Sequence, residues 1–150
     1  MTTIRPATEA DIPRIQELYL QLHFTPPPPD APRPSPEEYR RAFNQIYATP
    51  GYHFLVAEDS GVILGTAVLV VLPGMVHGVS PFAVVEYVVV DEARRGTGVG
   101  RKLMEYIKEK AIKAGCYKIM LTSDNRRGEA HDFYRALGYE ASAHGFRLYL

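Results

Sequence analysis

The chain has one cysteine, Cys116. No intrachain disulfide can form, and a reducing compartment is the natural setting. An excess of charge of either sign is also lacking: 17 basic side chains stand against 17 acidic ones, for a formal net charge of zero. A generally basic face for nucleic acid is therefore not expected. No stretch approaches the ~18 apolar residues of a membrane span. The opening MTTIRPATEADI has no apolar signal segment. A cytoplasmic protein without membrane or nucleic-acid partners is expected. The five histidines and single cysteine fall at no metal-ligand spacing, so no metal is expected either. At 150 residues, with no internal repeat, the chain is expected to form a single domain, 1–150, large enough to bury a core.

What is present is alternation of pattern. Residues 2–6 read as a short strand. Thr8 reads as an N-cap with Glu9 and Asp11 in the first turn. Ile12, Ile15, Leu18, Tyr19 and Leu22 then recur at helical spacing, which predicts a helix to about His23. The stretch TPPPPDAPRPSP (25–36) cannot be helix or central strand, since six of its first ten residues are proline. Ser35-Pro36-Glu37-Glu38 starts a second helix with a cap, a proline at the first position and two acids. From residue 52 the period changes. YHFLVAE, the turn DSG and VILGTAVLVVL predict a hairpin. FAVVEYVVV (82–90) predicts a strand apolar enough to be covered on both faces. Val99, Leu103, Met104, Ile107 and Ile112 mark a helix ending near Ala114. CYKIMLT reads as a strand, GEAHDFYRAL as a helix stopped by Gly138, and FRLYL as a closing strand. The order predicts an α/β (α+β) chain with a mixed sheet flanked by helices.

Between the strand at 82–90 and the helix at 99 lies EARRGTGVGRK. Gly100 is followed by Arg101-Lys102-Leu103, so the phosphate loop that requires Gly-Lys-Ser/Thr is excluded. The dinucleotide fingerprint fails as well, because Arg101 or Leu103 stands where its third glycine is needed. Glycines between a strand and a helix turn several N–H groups into one concavity. The helix N-terminus adds partial positive charge, and Arg94, Arg95 and Arg101 add full charges. This is a cradle suited to a pyrophosphate.

Arg95-Gly96-Thr97-Gly98-Val99-Gly100 resembles the Arg/Gln-x-x-Gly-x-Gly/Ala signature of the GNAT family of N-acetyltransferases. HDFYRALGY (131–139) resembles that family's second motif, and the order of elements agrees over nearly the whole chain. The resemblance implies a mostly antiparallel central sheet of the GNAT-like acyl-CoA N-acyltransferase fold. It implies acetyl-CoA as cosubstrate, with its pyrophosphate on residues Arg95, Gly96, Thr97, Gly98, Val99, Gly100 and Arg101. It also implies that the backbone of Val88, Val89 and Val90 pairs with the pantetheine arm as an added strand would, and that Asn125 contacts the cofactor. A simple turn residue is the other reading of Asn125.

Glu86 is the one carboxylate in VVEYVVV. It reads either as a charge on a solvated edge or, given its valine and tyrosine neighbours, as partly buried. Partial burial would raise its pKa and suit it to a general base for an alkyl ammonium. Tyr134 shares a helix face with His131. It matches the tyrosine that the family uses as general acid toward the departing thiolate, and it also belongs to the set of cofactor contacts. Arg126, Arg127, His144 and Arg147, with His131, are candidates for a cationic acceptor pocket. The loops 25–36 and 72–81 are candidates for its walls. Within the family the sequence is similar to the aminoalkylphosphonate and glucosamine-phosphate N-acetyltransferases. The expected substrate is therefore the primary amine of a small molecule, with one bearing a phosphate or phosphonate among the candidates, attacked directly in a ternary complex. A homodimer is expected. Acetylation of a protein lysine or N-terminus, and a coenzyme-A-binding sensor without catalysis, stand as alternatives.

Overall fold

The computed structural model describes residues 1–22 and 27–150. They fall into two units, Met1–Met120 and Leu121–Leu150. The first begins with β1 (Thr3–Pro6), a 3-10 turn (Glu9–Asp11) and α1 (Ile12–Leu20), followed by α2 (Pro36–Ala48). Then come β2 (Tyr52–Asp59), β3 (Val62–Leu72), β4 (Phe82–Val90), a second 3-10 turn (Glu92–Arg94), α3 (Val99–Lys113) and β5 (Ile119–Met120). The second unit holds α4 (Gly128–Ala136).

The sheet runs β1-β2-β3-β4-β5 in space. Every pairing is antiparallel except β4 with β5. A short hairpin joins β2 to β3, its turn closed by Ser60 and Gly61, both at positive φ, whereas α1 and α2 lie between β1 and β2 and α3 lies between β4 and β5. β3 is the centre, with Ile63 through Leu69 buried without a break. A run of this kind needs cover on both faces. α1 packs over β3 and β4 and α2 over β2. Ala7, Ile15, Leu18, Val56, Ile63 and Val89 form the core beneath them. α3 covers the other face with Leu103, Met104 and Ile107. There Gly65 is required by space: a Cβ would stand 2.9 Å from the Val89 carbonyl oxygen and 3.3 Å from a Leu103 methyl.

Caps fix the helix starts. Ser35 Oγ accepts from the Glu38 N–H, and the Glu38 carboxylate accepts from the Ser35 N–H at 2.6 Å, as the sequence predicts. At the first helix the expected cap becomes a larger knot. Asp11 accepts from the Thr8 N–H at 2.8 Å and receives both ends of the Arg5 guanidinium, at 2.7 and 3.0 Å. One turn of 3-10 helix precedes α1 as a result.

Several expectations change. The predicted helix end at His23 and the first prolines' approach, Thr25 and Pro26, lie outside the described residues; the described helix ends at Leu20. Ile112 points outward at 64% exposure, because Leu103, Met104, Ile107 and Ala111 already fill the buried stripe of α3. β4 is not covered on both faces, since Glu86 and Tyr87 are exposed. CYKIMLT pairs only through Ile119 and Met120. FRLYL is not a strand: Phe146, Leu148, Tyr149 and Leu150 are exposed, and no ladder forms among the described residues of the second unit. Propensity for the extended form does not make a strand without a partner to pair with.

Asp11 gives a test of the first knot. The Arg5 guanidinium, against the opposing cost of burial, and then Thr8, hold its carboxyl below the ordinary carboxylate range. A depressed folded-state value stabilises above the unfolded value of ~4 and is lost as pH falls below it. Asp11→Asn is expected to lose about 2 kcal/mol in urea unfolding at pH 7. The loss relative to wild type should shrink as the titration moves below pH ~4.

Candidate active site

The site grows from a defect in β4. Thr66 pairs with Val89, and Val68 pairs with Glu86. One residue of β3, Ala67, therefore faces two of β4, Tyr87 and Val88. This is a β-bulge, and Tyr87 carries its strain at φ +53°. A left-handed conformation costs a bulky side chain on the order of 1–2 kcal/mol, and such strain collects where a strand must re-aim its groups. Nothing in the sequence marks the bulge, because no glycine stands there.

β4 also loses its partner on the other side. β5 pairs with it only at Ala83 and Val84. From Val85 to Val90 no described strand pairs with that edge. The backbone of Val88 and Val89 is thus edge backbone, as the resemblance implies, and the Val90 carbonyl accepts from Arg95 Nε at 3.4 Å. An extended chain laid beside this edge finds backbone donors and acceptors ready.

The strand leads directly into the glycine loop. Asp91 ends β4 and caps the following turn, accepting from the Ala93 N–H at 3.0 Å. Arg14 of α1 forms an ion pair with Asp91, and its Nε donates to the Ile63 carbonyl at 3.2 Å. Gln21 accepts from the Glu92 N–H at 3.0 Å. The loop therefore leaves the sheet pinned to α1. Arg14, Gln21 and Asp91 were not among the sequence candidates; the only sequence signal for Asp91 is its place at the end of the strand.

Gly96 and Gly98 sit at φ +76° and +91°. A Cβ on either would meet no protein atom within 4 Å. Backbone conformation, not crowding, calls for glycine here. The Thr97 hydroxyl donates to the Arg94 carbonyl at 2.5 Å and holds the loop closed. α3 starts at Val99 with no side-chain cap. Its first N–H groups keep their donor capacity, because the ladder begins with Lys102 donating to the Gly98 carbonyl. Arg94, Arg95 and Arg101 are exposed around this start, with Arg101 also 3.8 Å from Glu105. Donors, dipole and cations converge, which fits a pyrophosphate.

Glu86 is exposed on the sheet face shared with Phe54 and Tyr52. The partial burial expected of it is absent, because the bulge turns Glu86 and Tyr87 outward together. Cys116 is half-buried, and burial pushes its thiol up, away from the thiolate form.

In the second unit, Tyr134 lies on α4, its ring against Phe133 and Tyr139 at 5.2 and 5.8 Å. Burial, with a smaller push from Tyr139 and an opposing pull from Arg127, raises its phenol to about 12. It is a proton donor at neutral pH. His131 Nε2 lies 2.9 Å from the Asp124 carbonyl oxygen. Asn125 is an exposed turn residue, and His144 is exposed. Two members of the expected cationic set are engaged by an acid that was not among the candidates. Asp124 accepts from Arg126 at 2.9 Å and from Arg147 at 3.4 Å, and its carboxyl is held far below the usual range, first by Arg126.

Among the described residues no cluster of His, Cys, Asp and Glu able to hold a metal occurs, and no helix is long and apolar enough to cross a membrane.

The family profile described as "Acetyltransferase (GNAT) family" matches residues 14–139. A glucosamine 6-phosphate N-acetyltransferase from Trypanosoma brucei brucei is 34% identical over 91 residues, 61% of this chain and 60% of the relative. The chain thus spans under two thirds of that relative's length. Glucosamine 6-phosphate N-acetyltransferase 1 from Oryza sativa subsp. japonica is 33% identical over 140 residues, 91% of this chain and 79% of the relative. An aminoalkylphosphonate N-acetyltransferase from Salmonella typhimurium is 26% identical over 106 residues, 71% of this chain and 68% of the relative. A solved putative acetyltransferase from Agrobacterium tumefaciens str. C58 superposes with a TM-score of 0.88 at 33% identity, covering 99% of both chains. A bulged, half-unpaired strand running into an uncapped, glycine-led helix, within a match that spans most of the sequence, places the chain in the GNAT acetyltransferase family.

Proposed function

We propose that the protein is an acetyl-CoA-dependent N-acetyltransferase acting on the primary amine of a small molecule, with the whole chain working as one catalytic domain. The observation that carries this reading is the continuity of β4 with the glycine loop. One edge offers backbone to an extended amide-bearing arm, and the next nine residues offer N–H groups and arginines to a pyrophosphate. Those are two of the chemically distinct parts of coenzyme A, its pantetheine arm and its pyrophosphate. The family match across both units, residues 14–139, supports the single-domain reading.

Catalysis is read as direct transfer. Glu86, exposed at the bulge, takes a proton from the acceptor ammonium. The freed lone pair attacks the thioester carbonyl carbon, and a backbone N–H at the bulge stabilises the oxyanion. The C–S bond then breaks, the departing thiolate takes the phenol proton of Tyr134, and the attacking nitrogen gives up its second proton to water to leave a neutral amide. Cys116 has no part in this scheme, since its thiol is shifted away from the nucleophilic form.

The phosphorus-bearing acceptor suggested by the relatives' names would draw on Arg126, Arg127, His144 and Arg147. Two of these already answer to Asp124. The acceptor proposed is therefore defined by its primary amine alone.

Gly98→Glu adds bulk and a like charge where the pyrophosphate would lie. Calorimetry with acetyl-CoA is expected to show binding by the wild type and none by the folded variant; equal affinities would dismiss the loop assignment. Tyr134→Phe keeps the ring and removes the donor. Its kcat is expected to fall by about 10²-fold with acetyl-CoA affinity unchanged. Near wild-type turnover would remove the acid role while leaving the binding reading intact. Cys116→Ala is expected to retain full turnover, and loss of activity in a folded variant would point to an acetyl-enzyme instead.

A further inference from the structure

Three phenols from three separate elements gather beside Glu86. Tyr19 of α1 lies against Tyr87 of the bulge, with ring centroids 5.8 Å apart and planes tilted by 54°. Tyr52 opens β2 on the same sheet face as Glu86. The register joins Tyr52, Val70 and Val84 across the sheet, and beside them Phe54, Val68 and Glu86. Tyr87 is 54% exposed, so the cluster is reached from solvent at the bulge.

The electrostatics agree with this grouping. Burial pushes the Tyr52 phenol up, and the neighbouring Tyr87 and Glu86 add to it. Burial pushes Tyr19 up as well, with Tyr52 and Tyr87 contributing. Among the described residues, the charges acting on these two phenols are those of Tyr52, Tyr87 and Glu86. Arg14, on the same helix as Tyr19, is engaged by Glu17, Asp91 and the Ile63 carbonyl.

We infer that Glu86, Tyr19, Tyr52 and Tyr87 form the acceptor subsite, and that it selects a primary ammonium carried on an apolar or aromatic body over a phosphorylated amine. The inference rests on the acetyltransferase reading above. Glu86 draws the ammonium by charge and then takes its proton. The phenol faces cover hydrocarbon, with Tyr19 and Tyr87 meeting as a tilted wall rather than leaving a slot between parallel rings. A phosphate brought beside Glu86 would meet its carboxylate, which disfavours it by like charge and lost hydration. The bulge is what makes the subsite. Without the extra residue, Tyr87 would alternate to the opposite face from Glu86 and could not stand beside it against Tyr19.

The test compares three acceptors at saturating acetyl-CoA: 2-phenylethylamine, glucosamine 6-phosphate and 2-aminoethylphosphonate, with release of the free thiol followed. The expected result is a kcat/KM for 2-phenylethylamine at least about tenfold above either phosphorus-bearing amine. Tyr87→Ala is expected to raise the KM for 2-phenylethylamine about tenfold and leave the KM for acetyl-CoA unchanged, while Tyr87→Phe restores the wild-type value. Preference for a phosphorylated amine, no turnover of 2-phenylethylamine, or an unchanged KM in Tyr87→Ala would each overturn the subsite. Calorimetry of the wild type with acetyl-CoA separates the two levels. Binding with the wrong acceptor preference defeats this inference alone, and absence of binding defeats the acetyltransferase reading with it.

Discussion

The first unit depends on β3 being covered on both faces. Seven consecutive residues, Ile63 to Leu69, are buried. Burying both sides of a strand removes its backbone from water, so each of its polar groups has to be met by a neighbour. β2 and β4 meet them along the ladders. Thr66, the one polar side chain in the run, donates its hydroxyl to the Leu55 carbonyl at 2.7 Å. Gly65 lets β4 and Leu103 come close enough to finish the packing. With β3 fixed, β4 has a register to depart from, and the departure is the bulge.

The same face explains how a strained strand persists. Tyr87 holds a left-handed conformation that no glycine relieves. Val89, two residues later, is locked in the core with Ile15, Leu18 and Val56, and Val85, two residues earlier, is buried on the opposite face. The strand is anchored on either side of the extra residue, so the distortion has nowhere to spread. Arg14 continues the restraint past the end of β4 by holding Asp91 and the Ile63 carbonyl at once. A helix from the start of the chain thereby sets the exit angle of the glycine loop. Chemistry proposed at Glu86 and binding proposed at Gly98 draw on one rigid framework, and positioning of that kind is where much of a transferase's rate acceleration originates.

Asp124 plays the corresponding part in the second unit. It gathers Arg126 and Arg147 and accepts from the Arg126 N–H as well. Basic residues that look like an anion site in one dimension are, in three, partly committed to an acid of their own chain. A sequence lists charges without their partners. The pairing of Asp124 with Arg147, 23 residues away, has no local signature.

Local chemistry determined much of this protein from the sequence alone. Ser35 to Glu38 specify a helix start because their hydrogen bonds close within one turn. The limits of the 82–90 strand and the loop glycines at 96 and 98 were legible for the same reason: strand period and φ > 0 are properties of a few adjacent residues. The family resemblance rode on those glycines and on the HDFYRALGY helix. Tertiary structure alone decided the rest. The valines around Glu86 suggested burial, yet exposure followed from a register shift against β3 that involves residues some twenty positions away. Ile112 fitted the helical pattern but was turned outward by the competition of better-placed neighbours for one buried stripe. FRLYL had the composition of a strand and no ladder to join. In each case the outcome depended on which surface arrived opposite, and a pattern read along one chain carries no record of that.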